Sequence, residues 1–357
     1  MSAEKDKIYG VGIQGAGWVS TQHIDAYKAN PHTRVVAICS RRMSSCKARA
    51  EEASLKDVRL YTDYDRMLDD PEVDIVSICT PQHLHPEETV KAAEARKHIL
   101  IEKPVAISLE GLKAMRDAVR KAGVKTVVSF VLRWNPLVKI LKRIISEGFI
   151  GDVYHIETAY QHNLGDWWTG WKYAKTKEQG VSALLVGGCH AIDMSRWLAC
   201  RDINGTVNIR EVYAYSGGLR RKKRIPGDIE YDAFETMLVR YENDAIGNIS
   251  ADFECIQPYT FPIIVFGDEG TIRDNRIWSK KFEGQTGWIE IPTILPDSGE
   301  VTHHPFRDEI DHFVDCILSD RESHCNLEDA VNTHEAALAA IISEKEDNRK
   351  VKLPLIK

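Results

Sequence analysis

A glycine-rich turn between the first strand and the first helix constrains the fold of this chain more than any other feature. Residues Ile8–Gln14 alternate apolar and small side chains, Gly15-Ala16-Gly17-Trp18-Val19-Ser20 follows, and Thr21–Asn30 has the pattern of a helix that Pro31 ends. Gly15 permits a tight turn, Gly17 lacks the Cβ that would block a phosphate, and the helix N-terminus offers unpaired N–H groups. Ser20 stands where the dinucleotide fingerprint has its third glycine. The turn predicts a dinucleotide site that includes Gly15, Gly17, Trp18, Val19 and Ser20.

Strands and helices alternate after this turn. Strands are predicted at Arg34–Ser40, Val73–Thr80, His98–Ile101 and Lys125–Phe130, and helices at Glu87–Lys97 and Leu109–Ala122. Elements of these lengths in this order predict a parallel, doubly wound α/β sheet with right-handed crossovers. We therefore expect an NAD(P)-binding Rossmann domain over residues 1–127.

The strand at Ile99-Leu100-Ile101 ends abruptly in Glu102-Lys103-Pro104. Ligands of open α/β sheets bind at the carboxyl ends of the strands, so a lysine at this strand tip is a candidate for chemistry. A solvated ion pair between Glu102 and Lys103 is the alternative that the residues alone leave open.

The end of the second strand distinguishes the two nicotinamide dinucleotides. An NAD site usually places Asp or Glu about 20 residues after the glycines, where the carboxylate accepts a hydrogen bond from the ribose 2′-hydroxyl. Here the chain reads Cys39-Ser40-Arg41-Arg42, which offers a hydroxyl and two guanidiniums to a 2′-phosphate. Ser40, Arg41 and Arg42 therefore favour NADP, with NAD still possible. The alternative is that the two arginines only begin the next helix.

Residues 128–357 have a different character and are expected to form a second domain for substrate binding and oligomerisation. A helix up to about Glu147 is followed by strand patterns at Val153–Tyr160, Val212–Tyr215, Ala233–Tyr241, Ala245–Ala251 and Phe261–Phe266. These predict an α+β domain with a large, mostly antiparallel open sheet, arranged as a meander. An open sheet face is often buried against another subunit, so we expect a homodimer or homotetramer through this sheet. The amphipathic helices Pro305–Ser319 and Leu327–Ser343 are free to pack back on the first domain.

A helix predicted at about Ser182–Leu198 carries Gly188-Cys189-His190-Ala191-Ile192-Asp193. His190 and Asp193 are three residues apart and therefore emerge on one side of the helix. The residues alone leave open whether the two side chains form a structural hydrogen bond or act on a substrate.

A segment rich in aromatic and polar residues precedes this helix, and it includes His162, Trp167 and Trp168. Aromatic rings stack on the C–H surface of a sugar, while Asn, Asp and His bind its hydroxyls. These three residues are therefore candidates for substrate binding, and Arg133, which follows the last strand of the first domain, is another. Packing over the cofactor or a subunit contact would explain the tryptophans equally well.

The whole pattern resembles the glucose-fructose oxidoreductase, inositol dehydrogenase and rhizopine-catabolism (Gfo/Idh/MocA) family over nearly the full chain. The residues that carry the resemblance are Gly15-Ala16-Gly17 with His23 behind it, Thr80-Pro81 with His85, and above all Glu102-Lys103-Pro104. The resemblance implies that Thr80, Pro81, His85, Glu102 and Lys103 belong to the cofactor site. Local capping in a turn is the alternative for His85.

The resemblance also implies catalytic roles for Lys103 and His190. Lys103 would lie beside the nicotinamide and the reacting hydroxyl, and the Lys103–Pro104 peptide bond is commonly cis in this family. His190 would donate or accept the proton, and Asp193 would help to bind the substrate. Family members of the inositol dehydrogenase type usually carry an aspartate four residues before the histidine, where this chain has Val186. Proton transfer would then rest on His190 and Lys103.

Composition excludes other classes of protein. Lys plus Arg number 47 and Asp plus Glu 53, a net charge of −6, so nucleic acid is not an expected partner. The basic run at 219–224 is expected to be a solvated loop that ends at Pro226-Gly227. The charged N-terminus has no signal-peptide pattern, no apolar run approaches a membrane span, and the eight cysteines show no metal-ligand spacing. We expect a cytoplasmic protein with no metal site and no membrane partner.

The sequence thus predicts an NAD(P)-dependent dehydrogenase that acts on a secondary hydroxyl of a sugar, cyclitol or glycoside, with NADP favoured. A first alternative is a redox-neutral enzyme that modifies or isomerises a glycoside and retains its cofactor tightly. A second is a cofactor-sensing regulatory protein that has lost catalysis.

Overall fold

The computed structural model describes residues 7–220, 228–296 and 304–357. Two compact units divide the chain: residues 1–131 with 301–328, and residues 132–300 with 329–357. Residues 1–6, 221–227 and 297–303, which include most of the basic run, lie outside the described residues.

The described residues contain strands in both units. The first unit has β1 (Tyr9–Gln14), β2 (Thr33–Cys39), β3 (Arg59–Tyr61), β4 (Ile75–Ile78), β5 (His98–Ile101) and β6 (Thr126–Val128). The second has β7 (Val153–Gln161), β8 (Ile209–Gly217), β9 (Phe234–Tyr241), β10 (Ile246–Asp252), β11 (Ile263–Gly267), β12 (Gly270–Arg273), β13 (Arg276–Ser279), β14 (Ile289–Glu290) and β15 (Val351–Lys352).

Helices lie between these strands and after them. They are α1 (Val19–Ala29), α2 (Met43–Glu52), α3 (Tyr64–Leu68), α4 (His85–Glu94), α5 (Leu109–Ala122), α6 (Pro136–Ser146), α7 (Trp171–Ala174), α8 (Ala183–Val186), α9 (Cys189–Leu198), α10 (Phe306–Leu318) and α11 (Leu327–Lys345). A single 3-10 turn, Val131–Trp134, precedes α6 among them. None of the helices in the described ranges is both long and apolar enough to cross a membrane.

The first sheet is parallel, and its strand order is β3-β2-β1-β4-β5-β6. Every residue of β1 and β4 is buried, as expected for strands covered on both faces. The order reverses between β1 and β4, where Gln14 pairs with Ile78, and Ile78 in turn pairs with Ile101 of β5. The ends of these three strands therefore lie side by side at the switch point of the sheet, where ligands of such folds bind. The predicted Rossmann fold is confirmed.

Helix α10 packs in this first unit although it lies far along the chain. Phe306 at its start contacts the ring of His23 on α1, with 5.1 Å between ring centroids, and the amide of Asn30 donates to Asp311 at 2.6 Å. Ile310, Phe313 and Val314 of α10 have no exposed surface.

The second sheet has the order β14-β13-β12-β11-β7-β10-β9-β8-β15 among the described residues. Its pairs are antiparallel except that of β7 with β10, which is parallel. The predicted mostly antiparallel sheet is confirmed, but the simple meander is wrong. Strand β7 lies between β11 and β10, neither of which follows it directly in sequence, so no hairpin fixes its direction.

The helix predicted over Ser182–Leu198 is two helices, because α8 ends before Gly187 and α9 begins at Cys189. A Cβ on Gly187 would lie 2.7 Å from the ring of Tyr160, and one on Gly188 would lie 2.7 Å from the Cα of Leu184. The glycines therefore serve close packing against β7 and between the helices, which a periodicity argument cannot detect. Ser182 is the N-cap of α8, and its Oγ accepts from the N–H of Leu185.

Buried polar contacts fix both helices in the second unit. Glu235 of β9 accepts hydrogen bonds from the N–H groups of Ala183 and Leu184 at the start of α8. At the other end, the ammonium of Lys142 donates to three main-chain carbonyls, those of Trp197, Cys200 and Gly205. Burial lowers the pKa of Lys142 to about 8, so it still carries its charge at neutral pH. The C-terminus of α9 is thus held by a buried cation.

The basic run proves to be only partly as expected. Its first arginine, Arg220, is not solvated: its guanidinium pairs with Asp228 at 2.5 Å and donates to the carbonyls of Leu164 and Phe253. An arginine held in this way joins two segments of the chain, and this explains why the prediction of a solvated loop is wrong at this position. The rest of the run, residues 221–224, lies outside the described residues.

Candidate functional site

The glycine turn has the geometry of a phosphate cradle. Gly15 has φ +101°, and a Cβ there would lie 2.7 Å from the carbonyl oxygen of Cys79 at the end of the neighbouring strand. A Cβ on Gly17 would meet nothing closer than 4.0 Å, so open space lies beside this residue. Ser20 is fully buried, and its hydroxyl donates to the carbonyl of Gly17 at 2.6 Å. The small residue in the third fingerprint position therefore braces the turn.

The N-terminus of α1 keeps its N–H groups available. The N-cap is Trp18, whose side chain makes no capping hydrogen bond, and the hydroxyl of Thr21 turns back to the carbonyl of Trp18. No acidic residue occupies the first turn. An 11-residue helix whose first N–H groups meet no capping side chain, opening from a glycine turn, fits a pyrophosphate.

The end of β2 carries no carboxylate. Ser40 is half-buried, and Arg41 and Arg42 are exposed just before α2 begins at Met43. His83 lies in the loop after β4. Its pKa is lowered, first by burial and then by the positive charge of Arg41. The strand tip therefore presents positive charge at the place where an NAD site usually presents an acid.

Arg49 is a third guanidinium in this region, and sequence reasoning missed it. Its Nη2 lies 3.5 Å from the carbonyl of Ala16 in the glycine turn, and its side chain is 12% exposed. Its other contact is an ion pair with Glu52 at 2.7 Å. The signal was available, because Arg49 lies two helical turns after Arg42 and so on the same side of α2.

The loop after β4 is braced from within the first unit. Thr80 donates to the carboxyl of Glu88, whose other oxygen accepts from Gln14 at 2.6 Å. Burial raises the pKa of Glu88. The start of the loop, Thr80-Pro81, is half-buried.

His85 is buried, and both of its ring nitrogens face main-chain carbonyls. Nδ1 lies 2.9 Å from the oxygen of Pro104, and Nε2 lies 2.8 Å from the oxygen of Thr80. The ring therefore bridges the loop after β4 and the loop after β5. Any effect of His85 on a cofactor is exerted through these two loops, and its contact with a cofactor stays a prediction.

Lys103 lies half-buried at the tip of β5 beside a buried carboxylate. The Lys103–Pro104 peptide bond is cis, as the resemblance implies. Glu102 does not form a solvated ion pair: Oε1 lies 3.0 Å from Nε2 of His23, and Oε2 accepts from the main-chain N–H of Lys103 at 3.1 Å. The alternative of a solvated Glu102–Lys103 ion pair is therefore wrong for Glu102.

In the second unit, His190 lies at the start of α9 with 5% of its surface exposed. Its ring stacks on the ring of Tyr160, with centroids 6.3 Å apart and an angle of 15° between the planes. Val186, at the position where relatives of the inositol dehydrogenase type carry an aspartate, is the last residue of α8 and is 3% exposed. The imidazole thus packs against an aromatic ring.

An aromatic cluster continues from Tyr160 to the surface, and we define it as Tyr160, His162, Trp167 and Tyr259. The hydroxyl of Tyr160 lies 3.2 Å from Nδ1 of His162, whose ring centroid is 4.8 Å from that of Tyr259 and 5.1 Å from that of Trp167. Trp167 is 58% exposed. Tyr160 and Tyr259 are the members that sequence reasoning missed, although the alternation along β7 places Tyr160 on the same face as Thr158.

The three neighbouring tryptophans have different environments. Trp167 is exposed, Trp168 is half-buried, and Trp171 is 2% exposed beneath the guanidinium of Arg220, 5.2 Å from the ring centroid. Only Trp167 of the three therefore offers a largely accessible indole face, while Trp171 is core.

Arg133 and Asp193 form a buried ion pair. Arg133 donates to both carboxylate oxygens of Asp193, at 2.8 and 2.5 Å, and also to Asp329 at 2.6 Å. Arg196 binds Asp329 at 3.0 Å, and neither guanidinium has any exposed surface. Although burial alone would raise it, the two guanidiniums hold the pKa of Asp329 well below its usual range. The role of Arg133 and Asp193 in substrate binding stays a prediction. Their contacts form a buried network that fixes helix α9.

Comparison with known proteins places the chain in a family. Residues 9–130 match the family described as "Oxidoreductase family, NAD-binding Rossmann fold", and residues 138–273 match the "GFO/IDH/MocA C-terminal domain". The two matches together span more than half of the chain.

Individual relatives agree with this. The levoglucosan dehydrogenase of Pseudarthrobacter phenanthrenivorans is 32% identical over 269 residues, which cover 68% of this chain and 66% of that protein. The scyllo-inositol 2-dehydrogenase (NAD(+)) of Bacillus subtilis is 26% identical over 77% of this chain and 76% of its own length. A structure of levoglucosan dehydrogenase in complex with NADH superposes with a TM-score of 0.83 at 23% identity, covering 98% of this chain and all of that one, and so confirms the fold.

A substitution at Asp193 distinguishes a structural from a substrate-binding role. In Asp193→Asn the buried Arg133 loses one of its two carboxylates, so we expect the free energy of unfolding to fall by about 3 kcal/mol. Urea denaturation followed by circular dichroism measures this loss. The exposed carboxylate of Asp166 provides the control, since Asp166→Asn should change stability by less than about 0.5 kcal/mol. Unchanged stability of Asp193→Asn together with a raised substrate KM would instead establish direct substrate binding.

Proposed function

Because the chain belongs to the GFO/IDH/MocA family of oxidoreductases, we propose that it transfers a hydride between NAD(P) and a secondary hydroxyl or ketone of a sugar, cyclitol or glycoside. Relatives named as dehydrogenases of levoglucosan and of scyllo-inositol support a polyhydroxylated substrate. The observation that carries the proposal is the half-buried Lys103, held at a strand tip beside the phosphate cradle of its own sheet.

Residues of the first unit fit a dinucleotide. The N–H groups at the start of α1 bind the pyrophosphate, and the open space beside Gly17 lets the phosphates approach the main chain. Gly15, Trp18, Val19 and Ser20 complete this cradle, while Thr80, Pro81 and Glu102 line the ends of the neighbouring strands. The nicotinamide ring, when bound, supplies the acceptor and the donor of the hydride.

Lys103 and His190 do the polar chemistry in this proposal. The ammonium of Lys103 holds the oxygen of the reacting hydroxyl and stabilises the negative charge that develops on it. His190 accepts the proton during oxidation and returns it during reduction, as an imidazole does well near neutral pH. Because Val186 supplies no carboxylate, the proton transfer in this proposal rests on Lys103 and His190.

The aromatic cluster is the proposed sugar platform. Trp167 presents an indole face, and His162 and the hydroxyl of Tyr160 provide hydrogen-bonding groups within the same cluster. Stacking on an aromatic ring suits the C–H face of a pyranose or cyclitol, whereas the polar groups fix its hydroxyls. Trp168 is half-buried and borders this platform. The ion pair of Arg133 with Asp193 holds helix α9 in place.

Turnover on a panel of polyols tests this function. We expect reduction of NADP or NAD, followed by absorbance of the reduced nicotinamide, with members of one class among levoglucosan, inositols, monosaccharides and simple glycosides. Lys103→Met should lower kcat by at least about 1000-fold, since it removes the charge that stabilises the alkoxide. Cofactor affinity, measured by quenching of tryptophan fluorescence, should change less than threefold.

Lys113 provides the control, because it is exposed on α5 and pairs with Asp117 one turn further along the same helix. Lys113→Met should keep its full turnover. Normal turnover by Lys103→Met would refute the mechanism. If the wild-type protein gives no reduced nicotinamide with any member of the panel, while the cofactor stays bound and unreduced, a redox-neutral enzyme or a sensor is favoured.

NADP is the proposed preferred cofactor. Ser40, Arg41 and Arg42 at the end of β2 offer a hydroxyl and two exposed guanidiniums, and no carboxylate stands there to repel a 2′-phosphate. Arg49, next to the glycine turn, adds a third positive charge to the same region.

The ratio of kcat/KM for NADP and NAD tests this preference. We expect the wild type to favour NADP, and Arg41→Ala and Arg42→Ala each to lower kcat/KM for NADP by about tenfold while leaving NAD nearly unchanged, because only NADP carries the phosphate. Arg66→Ala, at an arginine with 80% of its side chain exposed on α3, is the control. A higher kcat/KM with NAD in the wild type would contradict the proposal.

The open face of the second sheet is the proposed contact between subunits. Leu238 and Tyr215, which are more than half exposed, and Ile246 lie on strands β9, β8 and β10. Neighbouring strands that expose apolar side chains on one face match the expected homodimer or homotetramer.

Sedimentation equilibrium tests the assembly. We expect the wild type to be a dimer or tetramer and Leu238→Glu to shift it towards the monomer, because a buried carboxylate without a partner is costly. Ile8→Glu, at an exposed apolar residue of the first unit, should leave the mass unchanged. A monomeric wild type would exclude the proposed contact.

A further inference from the structure

The main chain at Lys103-Pro104 is held at both ends by buried side chains. The N–H of Lys103 donates to Oε2 of Glu102 at 3.1 Å, and the carbonyl of Pro104 lies 2.9 Å from Nδ1 of His85. Glu102 and His85 are 8% and 1% exposed, respectively. The segment that presents the lysine therefore has little freedom to move.

Glu102 is in turn held by His23, which lies 79 residues earlier on α1. Nε2 of His23 lies 3.0 Å from Oε1 of Glu102, and Nδ1 lies 2.8 Å from the hydroxyl of Ser77 on β4. His23 has no exposed surface, and Phe306 of α10 packs against its ring. Both nitrogens of His23 are thus occupied, and its ring orientation is fixed.

The charges of this cluster are complementary. Burial acts to lower the pKa of His23, but Cys79 and Glu102 outweigh it and raise this pKa well above the ordinary value. Burial acts to raise the pKa of Glu102, yet His23 and Lys103 leave it lowered. On α10, burial raises the pKa of Glu309 to about 8, so this carboxyl is protonated near pH 7 and leaves the ion pair balanced. Tyr27, whose pKa burial raises, and His85, whose ring also acts on Glu102, are further titratable groups around this cluster.

We propose that His23 is a positioning residue for the reaction: by holding Glu102 it fixes the main chain that presents Lys103. This rests on the proposed function, in which Lys103 contacts the reacting hydroxyl. Helix α1, which carries His23, also supplies the N–H groups for the pyrophosphate, so one helix orients both the cofactor and the lysine. The sequence marks His23 as part of the family pattern, but it does not show that its partner is the carboxylate of Glu102 at the end of a strand.

A double-mutant cycle tests the proposal. His23→Gln should lower kcat by about 10-fold to 100-fold, the range expected when a catalytic group is misplaced by about an ångström. The cofactor Kd and substrate KM should change less than threefold. Because His23 acts through Glu102, His23→Gln should lower kcat no further in the Glu102→Gln background. Additive losses in the two backgrounds would overturn the proposal.

The matched control is Thr89→Val. Thr89 is fully buried on α4 in the same unit, and its hydroxyl has no hydrogen-bond partner among the described residues. The valine is nearly isosteric, so kcat should stay within twofold of the wild type. A loss as large as that of His23→Gln would show that any buried substitution in this unit impairs turnover, and it would refute a specific role.

A second variant keeps the test valid if His23→Gln does not fold. Ser77→Ala leaves His23 in place but removes the partner of Nδ1, and we expect kcat to fall about threefold to tenfold with an unchanged KM. Full activity of Ser77→Ala, together with unfolded His23→Gln, would assign His23 to folding alone and contradict the proposal.

A readout without turnover separates this proposal from the proposed function. In a protein with ¹⁵N-labelled histidine, the His23 ring signals should show the imidazolium at pH 7.5, and Glu102→Gln should convert them to the neutral ring. A wild type that is inactive on every substrate but shows this coupling would refute the proposed function and leave the ion pair intact. His23 ring signals that do not respond to Glu102→Gln in an active enzyme would refute the positioning role, because they would show that His23 does not hold Glu102.

Discussion

Buried charge has to be matched by buried charge, and this constraint shapes both units. In the first, the carboxylate of Glu102 sits at the tip of β5 where no water can solvate it well, so it is paired with His23 and with the N–H of Lys103. In the second, Arg133 and Arg196 are fully buried and are neutralised by Asp193 and Asp329. Each ion pair fixes a segment that carries a residue of the proposed chemistry.

Such pairs add little net stability compared with an apolar core, but they specify geometry. The desolvation of two charges offsets most of their attraction, whereas removal of one partner is costly because the other stays buried. Directional bonds of 2.5–2.8 Å between Arg133, Asp193 and Asp329 hold α9 in one register. The same logic applies to the Lys103 segment, where hydrogen bonds to Glu102 and His85 fix the main chain more closely than packing alone would.

Sequence reasoning captured the parts of the fold that local rules determine. Strand β5 and helix α5 have the predicted bounds, and the glycine turn has the predicted geometry, because apolar runs, caps and positive φ leave a local signature. The break between α8 and α9 was missed, because Gly187 and Gly188 are needed to make room for the rings and side chains packed against them.

Most of the candidate site was likewise visible in sequence as residues, but its contacts were not. Lys103 could be singled out from its position at a strand tip, and His190 from the family resemblance. The partner of Glu102 lies on helix α1, and no pattern along one sequence encodes a pair 79 residues apart. The parallel pairing of β7 with β10 is hidden for the same reason. Long-range contacts depend on the summed packing of many elements, and periodicity reports only which face of each element is buried.

The clamped lysine also bears on what kind of protein this is. A protein that only senses a dinucleotide needs the glycine turn and the N-terminus of α1. It does not need a lysine whose main chain is fixed by Glu102 and His85. Fixing the main chain at a strand tip gives up entropy, and this is useful only where the position of the residue decides a rate. The redox-neutral alternative keeps the same need for a fixed lysine, so geometry alone does not separate it from a dehydrogenase. The stoichiometry of cofactor reduction does, because only a dehydrogenase releases reduced cofactor in proportion to product.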